Sequence, residues 1–236
     1  KAQASINMLS GKSAAQKPPP EPTVEIKSFP TIHYKGKVDI VDYTKYVSLI
    51  PKLTVPGKHN IQNAACALAV ADYVNLDLDV AKLALAEFAG TWRRLEYRGK
   101  TSMGAIVYDD YAHHPTEVRA SLQALRELYP RESPSHEAMA NQGKRITVLF
   151  QPHLYSRTKA LFDDFVTCFD EADHVALLPI YFARENSDPG ISSEKLADAI
   201  RLHRGQASVF ANFEEAEKYI KKMDLGENDV LVTMGA

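Results

Sequence analysis

Tyr108-Asp109-Asp110-Tyr111-Ala112-His113-His114-Pro115-Thr116-Glu117 follows directly on the apolar run Ala105-Ile106-Val107 and leads into a helix-periodic segment. An apolar run, a short polar connection and a proline at the first helical position describe a strand passing into a helix, because the missing proline N–H costs nothing there. The same unit repeats downstream. Strands are expected at 105–108, 145–150, 174–178, 207–210 and 229–233, with helices at 115–128, 158–169, 192–202 and 212–222. Strands alternating with helices of this length predict an α/β fold with a mostly parallel, doubly wound, Rossmann-like sheet.

Upstream of Gly90 the pattern differs. Residues 1–24, with Pro18-Pro19-Pro20 and Pro22, read as loop or linker. Strand signals follow in Val24-Glu25-Ile26, Thr31-Ile32-His33-Tyr34, Val38 to Tyr43 and Leu53-Thr54-Val55, and helices are expected at 60–73 and 79–89. Ala64, Leu68 and Ala71 form the buried stripe expected of the first helix. Segment 130–144 is polar and reads as a surface insertion. Two units result: residues 1–90 as an incomplete α/β domain and residues 91–236 as a nearly complete one.

A formal charge of −2 gives no electrostatic case for nucleic acid or for an anionic membrane. No apolar run reaches the roughly 18 residues of a membrane helix, and the N-terminus lacks the apolar centre of a signal peptide, so a cytoplasmic protein is expected. Cys66 and Cys168 show no metal spacing and both read as small buried hydrophobes. Lys1 stands where a start methionine would be, and Val230 to Ala236 stops where a strand-to-helix turn should begin, so a piece of a longer protein is expected.

Ligands of open α/β sheets collect at the carboxyl ends of the strands. Three polar sequences lie there. Asp109 to Pro115 carries two acids and two histidines, either a ribose-binding loop or a helix start dressed with acid for the macrodipole. Gln151-Pro152-His153-Leu154-Tyr155-Ser156-Arg157-Thr158 offers a bidentate arginine, or merely a cap at Ser156 or Thr158. Tyr181 to Asn186 reads by itself as a polar loop. Before the boundary, Gly57-Lys58-His59-Asn60-Ile61-Gln62-Asn63 places two amides on one helix face, able to pair with a purine edge, unless Asn60 is an N-cap. Thr91-Trp92-Arg93-Arg94-Leu95-Glu96 offers arginines for phosphate or for interdomain ion pairs. There is no HExxH, no cysteine cluster, no EF-hand, no P-loop and no GxGxxG in the chain, so metal ligands are expected nowhere in it.

Five ordered segments, GKHNIQNAACALAVA, FAGTWRRLEYRG, YDDYAHHPTEVRASLQALR, FQPHLYSRTKALFDDF and LVTMGA, resemble the Mur ligase family over about residues 50–236. The pairing of DDYAHHPTEV with FQPHLYSRT resembles the branch that joins L-alanine to UDP-N-acetylmuramic acid. The tripeptide-recycling branch and a non-catalytic nucleotide-binding module of the same fold are the alternatives. The resemblance implies ATP and Mg2+ as cofactors, the two small molecules as partners, a monomer or weak homodimer, and an acyl-phosphate mechanism in peptidoglycan precursor synthesis. It implies that residues 1–90 end a central ATP-binding domain and that the P-loop lysine and magnesium ligands belong to a preceding part. Carried over motif by motif, His59, Asn60 and Asn63 contact adenine, Arg94 reaches phosphate or ribose, and Asp110 holds the ribose hydroxyls. Tyr111, His113, His153 and Arg157 line the amino-acid pocket, with Arg94 and His113 nearest the chemistry. Leu154 departs from the pattern, since many relatives carry arginine there, and a carboxylate clamp of two arginines reduces to Arg157.

Overall fold

A computed structural model describes residues 41–131 and 143–236. Among them, six strands form one sheet in the order β1-β2-β6-β3-β4-β5. These are β1 (Glu96–Lys100), β2 (Ile106–Asp110), β3 (Arg145–Phe150), β4 (His174–Leu177), β5 (Ala207–Val209) and β6 (Asp229–Met234). The five strands from β2 to β5 across the sheet are parallel, and β1 pairs antiparallel with β2 at the edge through a register shift between Tyr97 and Gly99. An antiparallel edge strand on a parallel sheet is a common arrangement, but nothing in the periodicity of Glu96 to Lys100 announced it. The chain order places β6 between β2 and β3, so the loops leaving β2 and β3 flank the carboxyl end of the last strand.

The helices are α1 (Lys58–Tyr73), α2 (Leu78–Glu87), α3 (Pro115–Leu128), α4 (Tyr155–Ala160), α5 (Phe162–Thr167), α6 (Ser193–Arg204) and α7 (Phe213–Lys222). Side chains alternate across a strand, which sorts the sheet into two faces. Ile146, Val148 and Phe150 of β3 and Val230 and Val232 of β6 meet Val118, Leu122 and Leu125 of α3, Phe165 of α5, and Leu196 and Ile200 of α6. Leu149 and Leu231 face the other way, onto Ala216 and Ile220 of α7. Burial on both faces explains why β3 and β6 read as unbroken apolar runs.

Several expectations are corrected. The single helix foreseen at 158–169 begins at Tyr155 and is interrupted at Leu161, whose φ of −113° leaves the helical range. Thr158 does not cap it: its hydroxyl donates to the Leu154 carbonyl at 2.8 Å from inside the helix. Leu53 to Val55 forms no strand, and a 3-10 turn at Thr44–Leu49 precedes it, with Tyr46 buried against Ala65, Leu68 and Ala69 of α1. Cys66 is exposed, because it lies on the side of α1 away from the stripe of Ala64, Leu68 and Ala71, while Cys168 is buried as expected. The strands proposed at 24–26 and 31–34, the linker 1–24 and most of segment 130–144 lie outside the described residues.

His174 is one of the groups that make stability depend on pH. His174 opens β4, stacks on Tyr219 with ring centroids 5.8 Å apart, and has a buried Nε2 with no hydrogen-bond partner. Burial and then the nearby Arg204 charge hold its pKa below the usual imidazole value. A histidine whose folded-state pKa is lowered contributes full stability above its unfolded value of about 6.5 and loses it as pH falls from there towards the folded value. Thermal unfolding between pH 7.5 and 5.5 should therefore show a falling Tm, with a flatter profile in His174→Phe. His59 and His153 are lowered mainly by burial too and slope the same way, so an unchanged slope in the variant removes His174 from the account.

Candidate functional site

A cleft of about 740 Å3 lies between the start of α1, the Gly90–Leu95 turn, the end of β2 and the first turns of α3. His59, Asn60, Asn63, Arg94 and Asp110 all line it, beside the apolar side chains of Val55, Leu85, Phe88 and Leu95. The sequence had these five polar residues on three separate segments.

Gly57 makes the entry of α1 possible. Its φ is +98°, and a Cβ there would stand 2.7 Å from the His59 ring and 2.8 Å from the Ala124 Cβ, so only glycine lets His59 lie against α3. Asn60 is not the N-cap, since Gly57 holds that position. Its amide nitrogen donates to the Pro56 carbonyl at 2.7 Å, which turns its oxygen towards the Asn63 amide at 3.5 Å. Burial, the largest influence, keeps His59 neutral to lower pH, against the pull of Asp110.

Asp109 and Asp110 are the last two residues of β2, not the start of a helix, and both are about 1% exposed. The helix start is made by His114, whose ring accepts from the Thr116 N–H at 3.3 Å, and by Glu117, which accepts from the His113 and His114 N–H groups. The macrodipole reading of the two acids therefore falls. As consecutive strand residues they point to opposite faces. Asp109 pairs with Arg93 at 3.0 Å and accepts from Thr233 at 2.9 Å. Asp110 accepts the Ala112 N–H at 2.9 Å and lines the cleft beside Ser121. Burial raises the pKa of Asp110 above the usual carboxylate range, against the Ser121 hydroxyl, the Ala112 N–H and the Arg94 charge.

The two arginines of the junction separate. Arg93 and Leu95 take left-handed φ values of +53° and +44°. Arg93 reaches under the sheet end to Asp109 and to the Gly235 carbonyl at 2.5 Å. Arg94 stays half-exposed at the cleft, 3.6 Å from Glu117. Glu117 is pushed up by burial, but the His113 and His114 N–H groups and the charges of His113 and Arg94 outweigh that and hold it low.

A second group forms beside the first. The rings of Tyr111 and His113 lie 5.2 Å apart edge to face, and those of His113 and His153 lie 5.9 Å apart. Arg157 Nη1 stands 3.5 Å from His153 Nδ1. Tyr111 joins the two groups, since Arg93 and Arg94 lie over its ring at 5.0 and 5.8 Å. All four residues expected at the amino-acid pocket are thus neighbours, supplied by the loops after β2 and β3. Leu154 holds the N-cap of α4 at φ +73° and makes no capping bond.

The sequence reading of the third loop as polar gave no role to two of its residues. Tyr181 lies 5.5 Å from the His153 ring, and Glu185 accepts from both the N–H (3.0 Å) and the hydroxyl of Ser156. No local signal marks them, because their partners lie 28 and 29 residues upstream (181 − 153 and 185 − 156). Among the described residues no group of three His, Cys, Asp or Glu side chains could hold a metal ion, and no helix is long and apolar enough to cross a membrane.

Residues 93–236 match the family model described as Mur ligase, glutamate ligase domain. The UDP-N-acetylmuramate–L-alanine ligase of Desulfosudis oleivorans is 43% identical over 185 residues, which is 78% of this chain and 37% of that protein. The enzyme of the same name from Clostridium perfringens is 40% identical over 184 residues, with the same two coverages. The crystal structure of UDP-N-acetylmuramate-alanine ligase from Thermotoga maritima superposes with a TM-score of 0.58 at 30% identity, over 78% of this chain and 36% of that one. Folylpolyglutamate synthase of Mycobacterium tuberculosis, solved with ADP, shares the fold at 20% identity and a TM-score of 0.55. The chain spans a little over a third of the length of these relatives. The ordered motifs, the sheet with β6 set between β2 and β3, and the extent of the family match together place this chain in the Mur ligase family.

Proposed function

We propose that this chain is the part of an ATP-dependent UDP-N-acetylmuramate–L-alanine ligase that binds the adenosine end of ATP and presents the amino acid. The observation that carries this reading is the meeting of His59, Asn60, Asn63, Arg94 and Asp110 in one cleft, next to the cluster of Tyr111, His113, His153 and Arg157. Residues 1–90 would close a central ATP-binding domain and residues 91–236 form the C-terminal domain. The setting would be the cytoplasm, where peptidoglycan precursors are assembled.

The cleft fits the adenosine part of ATP. Apolar walls from Val55, Leu85 and Phe88 suit a flat base, paired amides suit a purine edge, and a buried acid at a strand end suits ribose hydroxyls. ATP supplies the phosphoryl group that activates the carboxylate of the sugar acid. The residues of this chain then act by positioning. Arg94 offsets negative charge at the cleft mouth, and Arg157 pairs the carboxylate of the incoming amino acid. His153 is held neutral to lower pH chiefly by burial and then by Arg157; with its Nδ1 accepting from the Arg157 guanidinium, it turns an Nε2–H donor towards the pocket. Magnesium would offset the charge of the ATP phosphates, with its protein ligands expected in the part that carries the P-loop.

The full-length protein should release phosphate only when ATP, UDP-N-acetylmuramic acid and L-alanine are all present, and the 236-residue chain, which lacks a P-loop, should release none. A preference for a tripeptide over alanine would move the assignment to the recycling branch. Nucleotide binding without turnover in the full-length protein would make it a binding module. With Leu154 in place of a second arginine, the amino-acid KM should be raised and serine or glycine tolerated, and strong exclusive use of alanine would sink that expectation.

A further inference from the structure

The loop after β4, read from sequence as no more than a polar loop at a strand end, is tied to α4 at two points. Glu185 takes the Ser156 N–H at 3.0 Å and the Ser156 hydroxyl. One turn further on, Lys159 pairs with Asp188 at 2.9 Å. The loop itself is held in place: the Tyr181 N–H donates to the Pro152 carbonyl and the Leu154 N–H to the Tyr181 carbonyl, each at 2.8 Å. Ala183 at φ +49° turns the chain back so that the Glu185 N–H meets the Phe182 carbonyl.

These links answer a local deficit. α4 has six residues, too short to hold itself together. Leu154 at its N-cap has no side-chain acceptor to offer the first N–H groups. Glu185 supplies that acceptor from another loop. Arg157 is the next residue after Ser156, and His153 precedes the cap, so the same contact fixes the residues on both sides of the helix start.

We propose that Glu185 is a positioning residue for the amino-acid pocket, acting through Ser156 to hold the Arg157 guanidinium and the His153 ring in register with His113. It touches neither the amino acid nor ATP. The inference rests on Arg157 and His153 being the amino-acid site.

Steady-state kinetics of the full-length protein test it. Glu185→Ala should raise the KM for alanine roughly five- to tenfold, the scale of a lost helix cap, while kcat and the KM for ATP stay within about twofold. Glu185→Gln keeps an acceptor oxygen for the Ser156 N–H and should recover most of the loss. A purely structural role would lower the active fraction, and hence kcat, without moving the alanine KM. Should Glu185→Ala fail to fold, Glu185→Asp retains the charge but is too short to hold both Ser156 groups, and should raise the alanine KM alone. Arg157→Ala separates the two claims. If it raises the alanine KM and the Glu185 variants do not, the proposal on Glu185 is overturned. If Arg157→Ala also leaves the alanine KM unchanged, the amino-acid site itself has been misplaced.

Discussion

Replacing Asp109 by alanine is expected to lower the melting temperature of this chain by on the order of 10 °C, from about 3–5 kcal/mol of lost stability in a domain of this size. Asp109 is about 1% exposed and its partner Arg93 has a side chain 15% exposed. Between them they tie the segment before β1 to the ends of β2 and β6, through Thr233 and the Gly235 carbonyl. The guanidinium cannot shed its proton, so losing Asp109 leaves a charge stranded in a place poor in water. Burial holds the Asp109 carboxyl above the usual carboxylate range in spite of Arg93. That direction says the ionised acid is costly to keep, so the pair's value lies in where it pins the chain. The double variant Arg93→Met with Asp109→Leu should accordingly lose much less than Asp109→Ala. Differential scanning calorimetry of the three proteins decides it, and a double variant as unstable as the single one would show that the charges matter in their own right.

The second large effect concerns the neighbouring acid. Asp110→Ala in the full-length protein should raise the KM for ATP by about 10- to 100-fold, corresponding to a charge-assisted hydrogen bond of roughly 1.5–3 kcal/mol. The KM for alanine should change little, because Asp110 opens on the cleft of His59 and Arg94 and not on the pair His113 and His153. One of its oxygens already accepts the Ala112 N–H, which shapes the loop leading to His113. Asp110→Asn, which can keep an oxygen on that N–H, separates the two duties. An ATP KM that stays put in Asp110→Asn while Asp110→Ala fails would assign the acid to loop shape instead of ribose. Equal loss in both would support the ribose role.

Much of this architecture was legible along the chain. β3 and β6 are buried on both faces, so they appear as apolar runs of strand length, and the helices between them carry stripes that need only local periodicity to be read. The boundaries of α1, α3, α6 and α7 fall within two residues of their expected positions, because glycine, proline, serine and asparagine mark their ends chemically. What failed lacked local marks. β1 exists because β2 offers an edge, and α4 begins at Tyr155 although its N-cap residue cannot cap it.

Residue type and spacing, which are one-dimensional properties, carried the mostly parallel α/β sheet, the family, and the motif residues His59, Asn60, Asn63, Arg94, Asp110, Tyr111, His113, His153 and Arg157. Tertiary structure decided which of two adjacent acids faces the cleft and which of two adjacent arginines lines it. A strand alternates its faces, and a left-handed turn at Arg93 sends neighbours in opposite directions. It also decided that Tyr181 and Glu185 pack against His153 and Ser156. Their partners are close only because β3 and β4 run side by side, a nearness that no window along the chain contains.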